Sequence, residues 1–177
     1  MDERIRHLKW LLVDQIVDLT TATVAIRHHI EVMQGDNPPS TKWSVCYFRM
    51  CSSFLIVSLS KLWETLDHYG ADIRQFPAEA RDACAGVRAE IERRKIYQFR
   101  SKYAAHIIDK TTKKPLSLAD GDRRYREIVG DDVTDLIALC DWINPEASPI
   151  PKTSVMYAVI RTRDYCLDVV GSDTERP

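Results

Sequence analysis

The sequence predicts an all-α fold, an up-and-down bundle of four main long helices plus shorter helices. Three observations carry this. Apolar residues recur at steps of three and four over long stretches, the spacing that lines one face of a helix. Glycine is scarce, with 6 in 177 residues. No β-branched run of strand type returns at regular intervals, as a sandwich or barrel would need. With 45% hydrophobic and 29% charged residues the chain can fill a core beneath a solvated surface. The length suits a single domain, taken as residues 1–170, with residues 171–177 (GSDTERP) as a disordered tail.

The first helix is long. Ile5, Leu8, Leu12, Ile16, Leu19, Thr23, Ile26, Ile30 and Met33 share one face. GDNPPS at 35–40 ends it: Gly35 suits a C-terminal cap, and the two prolines cannot continue a helix. Ser40 or Thr41 then caps a second helix that runs to about His68. Its apolar stripe is broad. Trp43, Tyr47, Met50, Phe54, Val57 and Leu62 form one part, and Phe48, Leu55, Leu59, Trp63 and Leu66 widen it, so its aromatic and Met residues read as core in the middle of a bundle. A third helix begins at Pro77, with Ala80, Cys84, Val87 and Ile91 on its inner face. Arg94 and Lys95 come next on that face, and the apolar pattern resumes only at Ile96, running on to Tyr103 and Ile107. Such a phase break predicts a kink or a change of packing partner. After the basic turn TTKKP, a short helix spans about 118–129 and closes at Gly130. Asp131 or Asp132 caps the next, which reaches Trp142. The proline-rich NPEASPIP separates it from a last helix over 154–170.

The net charge of -1 conceals an asymmetry: residues 88–126 hold 12 Lys and Arg against 5 Asp and Glu. A basic segment on an otherwise acidic chain is a footprint for phosphate or an acidic partner, or else a set of helix faces laced with ion pairs. The five cysteines, 46, 51, 84, 140 and 166, are scattered without a CxxC pair, as buried reduced thiols in a cytoplasmic protein would be. His28 and His29 are adjacent and point about 100° apart on a helix, which suits no shared metal; no metal or other cofactor is expected. Nucleotide-loop and hydrolase motifs are missing. The charged start MDERIRHLKW has no apolar core of a signal peptide, and FLIV at 54–57 is too short to cross a bilayer.

One residue breaks the pattern. On a regular helix Arg100 falls among Ile96, Tyr103, Ala104 and Ile107, in the middle of the apolar stripe, with His106 near its edge. A guanidinium there needs a partner. It can pair with an acid such as Asp14, Asp18 or Glu64, meet a second subunit, or line a pocket for an anion. His106 can simply pair with Asp109.

The stretch FRSKYAAHIIDKTTKKPL resembles the signature helix of the HEPN superfamily, in the form found in abortive-infection and toxin-type members: an Arg, a first residue that is often polar, a short run, and a His. Position 101 is Ser where Asn or Asp is common, and Ile108 stands where modified members carry a tyrosine. The resemblance implies a metal-independent endoribonuclease acting in phage defence or a toxin–antitoxin system. It would be a homodimer, with an antitoxin or nucleotidyltransferase as partner, and RNA as substrate. Arg100 would stabilise phosphate, His106 from each subunit would move protons, and Ser101 would assist. Lys102, Lys110, Lys113 and Lys114 would hold the RNA backbone. The rival from another class is a non-catalytic HEPN-like bundle that binds nucleotide, RNA or a partner protein; a scaffold with a salt-bridged Arg100 is the third reading.

Overall fold

The computed structural model of the chain describes residues 2–104, 117–171 and 176. Among these, helices α1 (Asp2–Gln34), α2 (Thr41–His68), α4 (Ala78–Arg93) and α8 (Val155–Val170) form the body of an up-and-down bundle. Shorter pieces complete it: α3 (Gly70–Ile73), α5 (Ile96–Phe99), a π turn over Arg100–Ala104, α6 (Leu118–Val129) and α7 (Val133–Ile143).

Local chemistry sets most helix ends. The N–H of Trp43 donates to Ser40 Oγ, that of Asp120 to Ser117 Oγ, and that of Tyr157 to Ser154 Oγ, each satisfying a donor the helix cannot. Asp132 caps α7 by accepting from Asp135 N–H at 3.0 Å, and the Asp135 carboxylate returns the bond to Asp131 N–H at 2.9 Å. Gly130 closes α6 at φ 91, a conformation that excludes ordinary side chains. Gly35 does not play the matching role after α1: its N–H bonds to Val32 at 3.3 Å, and it is not among the left-handed glycines.

α1 and α2 run antiparallel. Arg4 at the head of α1 reaches Asp72, just beyond α2, at 2.9 Å, and His29 near the end of α1 stacks on Tyr47 at 4.3 Å between ring centres. Between these points Leu8, Leu12, Leu19 and Ile26 are fully buried with Leu55, Leu59 and Leu62. Each such side chain contributes about 1.5–3 kcal/mol on leaving water. Thr23 lies within this stripe at no cost in unmet bonding, since its hydroxyl donates to Leu19 O at 2.9 Å and accepts from Asn144 Nδ2 at 3.0 Å. α4 runs back along α2, where Arg88 meets Asp67 at 2.7 Å and Trp63 Nε1 donates to Glu92 at 2.9 Å. α8 covers α1 and α4, with Thr162 Oγ1 and Cys84 Sγ 3.0 Å apart at the contact.

The phase break has a definite structure. α4 ends at Arg93 with Arg94 as its C-cap, and Lys95 takes a left-handed conformation at φ 57. Ile91 and Ile96 lie five residues apart, so a continuous helix would turn them about 140° away from each other. The interruption lets both be fully buried. The chain past Lys95 is therefore a new helical start followed by a π turn, not a continuation of α4.

One expectation is corrected, and one element is new. Trp43, Met50 and Phe54 are not core: they are 53%, 61% and 39% exposed. The first half of α2 packs on the end of α1 through His29 and on α6 through the Ser52–Tyr125 hydroxyl pair, and these three side chains stay on its open side. α3 was not anticipated, because four residues are too few to show a period. Beyond α8, Arg176 seats its guanidinium on Asp14 by bonds of 2.5 and 2.7 Å and lies over the Trp10 ring at 5.6 Å.

All five thiols are free; Cys46 is exposed, and Cys51, Cys84, Cys140 and Cys166 are buried in α2, α4, α7 and α8. Burial pushes Cys140 up to about 11 and Cys166 up to about 12. Among the described residues α2 is long and apolar enough to cross a membrane by length and composition, a test that buried core helices also pass.

Candidate functional site

Arg100 opens the π turn, a form that is rare and often placed at functional sites. The break at Lys95 has moved it off the buried stripe. Its side chain is 36% exposed and reaches Glu64 Oε1 of α2 at 3.7 Å, itself 44% exposed. Of the acids named from sequence, Glu64 is thus the one that meets it. The distance is long for a charge-assisted hydrogen bond, so the carboxylate orients the guanidinium without saturating its five donors. Ser101 follows in the same turn, and its hydroxyl donates to Gln98 O at 3.1 Å. That bond ties Ser101 Oγ to the preceding turn, leaving its lone pairs to accept.

Lys102 is exposed and lines a cleft of about 190 Å³ between the α5–π-turn segment and α6. Arg94, Lys95 and Arg124 lie on the same cleft, opposed by Glu127. These cations are partly committed. Arg94 bonds Glu90 at 2.7 Å and stacks over Trp142 at 4.9 Å, and Arg124 bonds Asp120 at 3.2 Å. Four of the cations counted in the sequence thus share this cleft, where phosphate oxygens would be attracted, while Arg88, Arg93, Arg123 and Arg126 are paired with carboxylates of the helices. His106, Lys110, Lys113 and Lys114 lie outside the described residues.

Among the described residues no group of three or more His, Cys, Asp or Glu is placed to hold a metal ion. The histidines have other surroundings. His28 pairs with Glu31 at 3.7 Å in the open. His29 is buried between Trp43, Tyr47 and Phe48 with its Nε2 unpartnered. His7 Nδ1 is 2.7 Å from Tyr69 Oη, whose phenol burial pushes up. The aromatic surroundings of His29 could have been read from Trp43 and Tyr47 at i and i+4; the His7–Tyr69 bond joins residues 62 apart, and no local pattern announces it.

What the arrangement can do is hold a polyanion by Arg100 and the neighbouring cations. Among the described residues of this surface the groups that can take up a proton are carboxylates, Glu64 beside Arg100 and Glu127 on the cleft.

No protein-family model matches the chain, and no curated protein matches it. A solved structure does: an integron cassette protein from the mobile metagenome of V. paracholerae, with a TM-score of 0.74 over 94% of this chain and 97% of that one. The two share 17% of their residues, a level at which the likeness is one of fold. The helical bundle described above is thus also the fold of an integron cassette protein.

Proposed function

We propose that the chain is a metal-independent endoribonuclease of HEPN type, acting as a homodimer. The observation that supports it is the half-exposed guanidinium of Arg100, loosely tethered to Glu64 at the head of a π turn and beside the basic cleft of Lys102, Lys95, Arg94 and Arg124. In this reading the 2′-hydroxyl of RNA attacks the adjacent phosphorus as its proton passes to His106. The bond to the 5′-oxygen breaks, and His106 of the partner subunit protonates the leaving oxygen. Products carry a 2′,3′-cyclic phosphate and a 5′-hydroxyl. Arg100 offers a planar pair of donors to the crowded phosphate, where preorganised charge acts most strongly. Lys102, with Lys110, Lys113 and Lys114, holds the backbone without reading sequence. Such an activity suits a role in phage defence or beside an antitoxin.

The test is cleavage of a folded RNA in excess chelator, with end-group analysis. Arg100→Ala and His106→Ala should each abolish cutting while the helical circular dichroism stays unchanged. A variant that cuts as fast as the parent removes its residue from the mechanism. A second reading, an RNA-binding bundle that does not cut, is favoured by the Ser101 hydroxyl being engaged with Gln98. It gives salt-sensitive RNA affinity with no product at any enzyme concentration.

A further inference from the structure

On the α1 side of Glu64, the carboxylate that Arg100 meets, α1 and α2 enclose a groove of about 920 Å³. Its lining carries three carboxylates, Asp14 and Asp18 from α1 and Glu64 from α2, with Gln15 between them and with Lys61 and Arg176 as its cations. Each carboxylate already faces a cation of this chain. Asp14 holds Arg176 at 2.5 and 2.7 Å, Asp18 faces Lys61 at 3.7 Å, and Glu64 faces Arg100 at 3.7 Å. Gln15 is only 4% exposed, yet its Oε1 has no hydrogen-bond donor. A buried carbonyl oxygen left unmet costs about 1–3 kcal/mol, so the groove is short of a donor.

The arginine at Asp14 shows what fits. Arg176 lays its guanidinium on the carboxylate and over the Trp10 ring, the two contacts that suit a flat, delocalised cation better than an ammonium. The carboxylates of Asp14 and Asp18 follow one another at i and i+4, about 6 Å along the α1 axis. In an extended peptide, side chains two residues apart are separated by about 6.6 Å and face the same way. We propose that this groove is a docking site for an extended, arginine-bearing segment of a partner protein, of the form Arg-Xaa-Arg, and that Arg176 occupies one of its two guanidinium positions in the absence of that partner. One arginine replaces Arg176 on Asp14, the second takes Asp18 from Lys61, and a peptide N–H or guanidinium N–H supplies Gln15 Oε1. The inference does not depend on the ribonuclease reading.

Arg176 is tethered, so it competes at a high effective concentration. Removing it should open the site. The experiment titrates the full-length chain with a short Gly-Ser-flanked Arg-Ser-Arg peptide, read by calorimetry and tryptophan fluorescence, beside peptides with lysine or citrulline at both arginine positions. Arg176→Ala should bind the arginine peptide about tenfold more tightly than the parent, and Asp14→Asn about tenfold more weakly than the parent. The lysine peptide should be weaker and the citrulline peptide silent. Gln15→Met keeps the volume and removes the acceptor, and should weaken binding; should it disturb the core, Val17→Trp blocks the exposed rim of the groove and should abolish binding with an unchanged melting temperature. No saturable binding to Arg176→Ala at millimolar peptide overturns the proposal. So does equal binding of the citrulline peptide, or of spermidine, which would mark a general polycation surface.

Discussion

Replacing Arg100 by alanine separates a guanidinium that holds the bundle together from one that is displayed for a ligand. The geometry sets the scale. At 3.7 Å, with side chains 36% and 44% exposed, the pair with Glu64 sits in solvent-like surroundings. Coulomb's law gives roughly 1 kcal/mol at such a distance in water, and exposed pairs usually contribute about 0.2–1 kcal/mol. For a chain of this length 1 kcal/mol moves the melting temperature by about 2–4 °C. Arg100→Ala should therefore lower Tm by no more than about 4 °C, and the coupling to Glu64→Gln in a double-mutant cycle should stay below about 1 kcal/mol. RNA affinity, measured against salt by fluorescence anisotropy, should respond far more. One lost phosphate contact reduces the slope of log affinity against log salt by about 0.7 for a single strand. A broken buried pair would instead cost about 3–5 kcal/mol, seen as a Tm drop of roughly 10 °C. That drop, with the salt slope untouched, would refute the placement of Arg100 as a displayed cation and leave a structural salt bridge in its stead.

Three further outcomes follow from the geometry. Lys95 holds a left-handed conformation that costs a residue with a Cβ about 1 kcal/mol, so Lys95→Gly should raise Tm by a few degrees and Lys95→Val should lower it; a fall with glycine would contradict the break described after α4. At Gly130 an added Cβ would lie 1.9 Å from Asp135 Cβ, so Gly130→Ala should destabilise the α6–α7 junction by more than about 2 kcal/mol in urea titration, and a neutral result would overturn this turn geometry. Glu90 is held down to about 2, first by the side-chain bonds from Arg93, against an opposing push from burial, with Arg94 adding further bonds and charge. A depressed carboxyl stabilises the fold fully above its ordinary value of 4.5 and loses that contribution as pH falls toward about 2. The Tm gap between the parent and Glu90→Gln should accordingly be widest near neutrality and close over that window; a gap that persists at the acid end would mean the glutamine acts through packing.

The helices were legible because their signals are local. Ser40, Asp132, Ser154 and Gly130 act on donors and dihedrals within a few residues, and the faces of α1 and α8 follow a period that needs no knowledge of neighbours. The interruption at Arg94 and Lys95 was visible as a fault in that period, but its remedy was not. A left-handed lysine followed by a π turn changes the angle between residues, so a wheel drawn through Arg100 placed it in the core. Its pairing with Glu64 could be anticipated as one of three acids, since charge balance restricts the options without choosing among them. The exposure of Trp43, Met50 and Phe54 was hidden for a different reason: an apolar face says that it prefers cover, not which element supplies it. The groove between α1 and α2 was illegible, because Asp14, Gln15 and Asp18 come beside Lys61 and Glu64 only after α2 has folded back on α1.

The distribution of sulfur offers a built-in gauge of the molecule's breathing. One thiol is open to reagents in the native chain, so a maleimide dye should attach at Cys46 first and supply a single-site label near the α1–α2 corner. The remaining four belong to four different helices, and Cys140 and Cys166, held at about 11 and about 12, are almost wholly protonated at neutral pH. Each can be alkylated only when its own helix swings away. The order in which Cys51, Cys84, Cys140 and Cys166 acquire mass in a timed quench would thus read out which part of the bundle detaches first, without a single introduced probe.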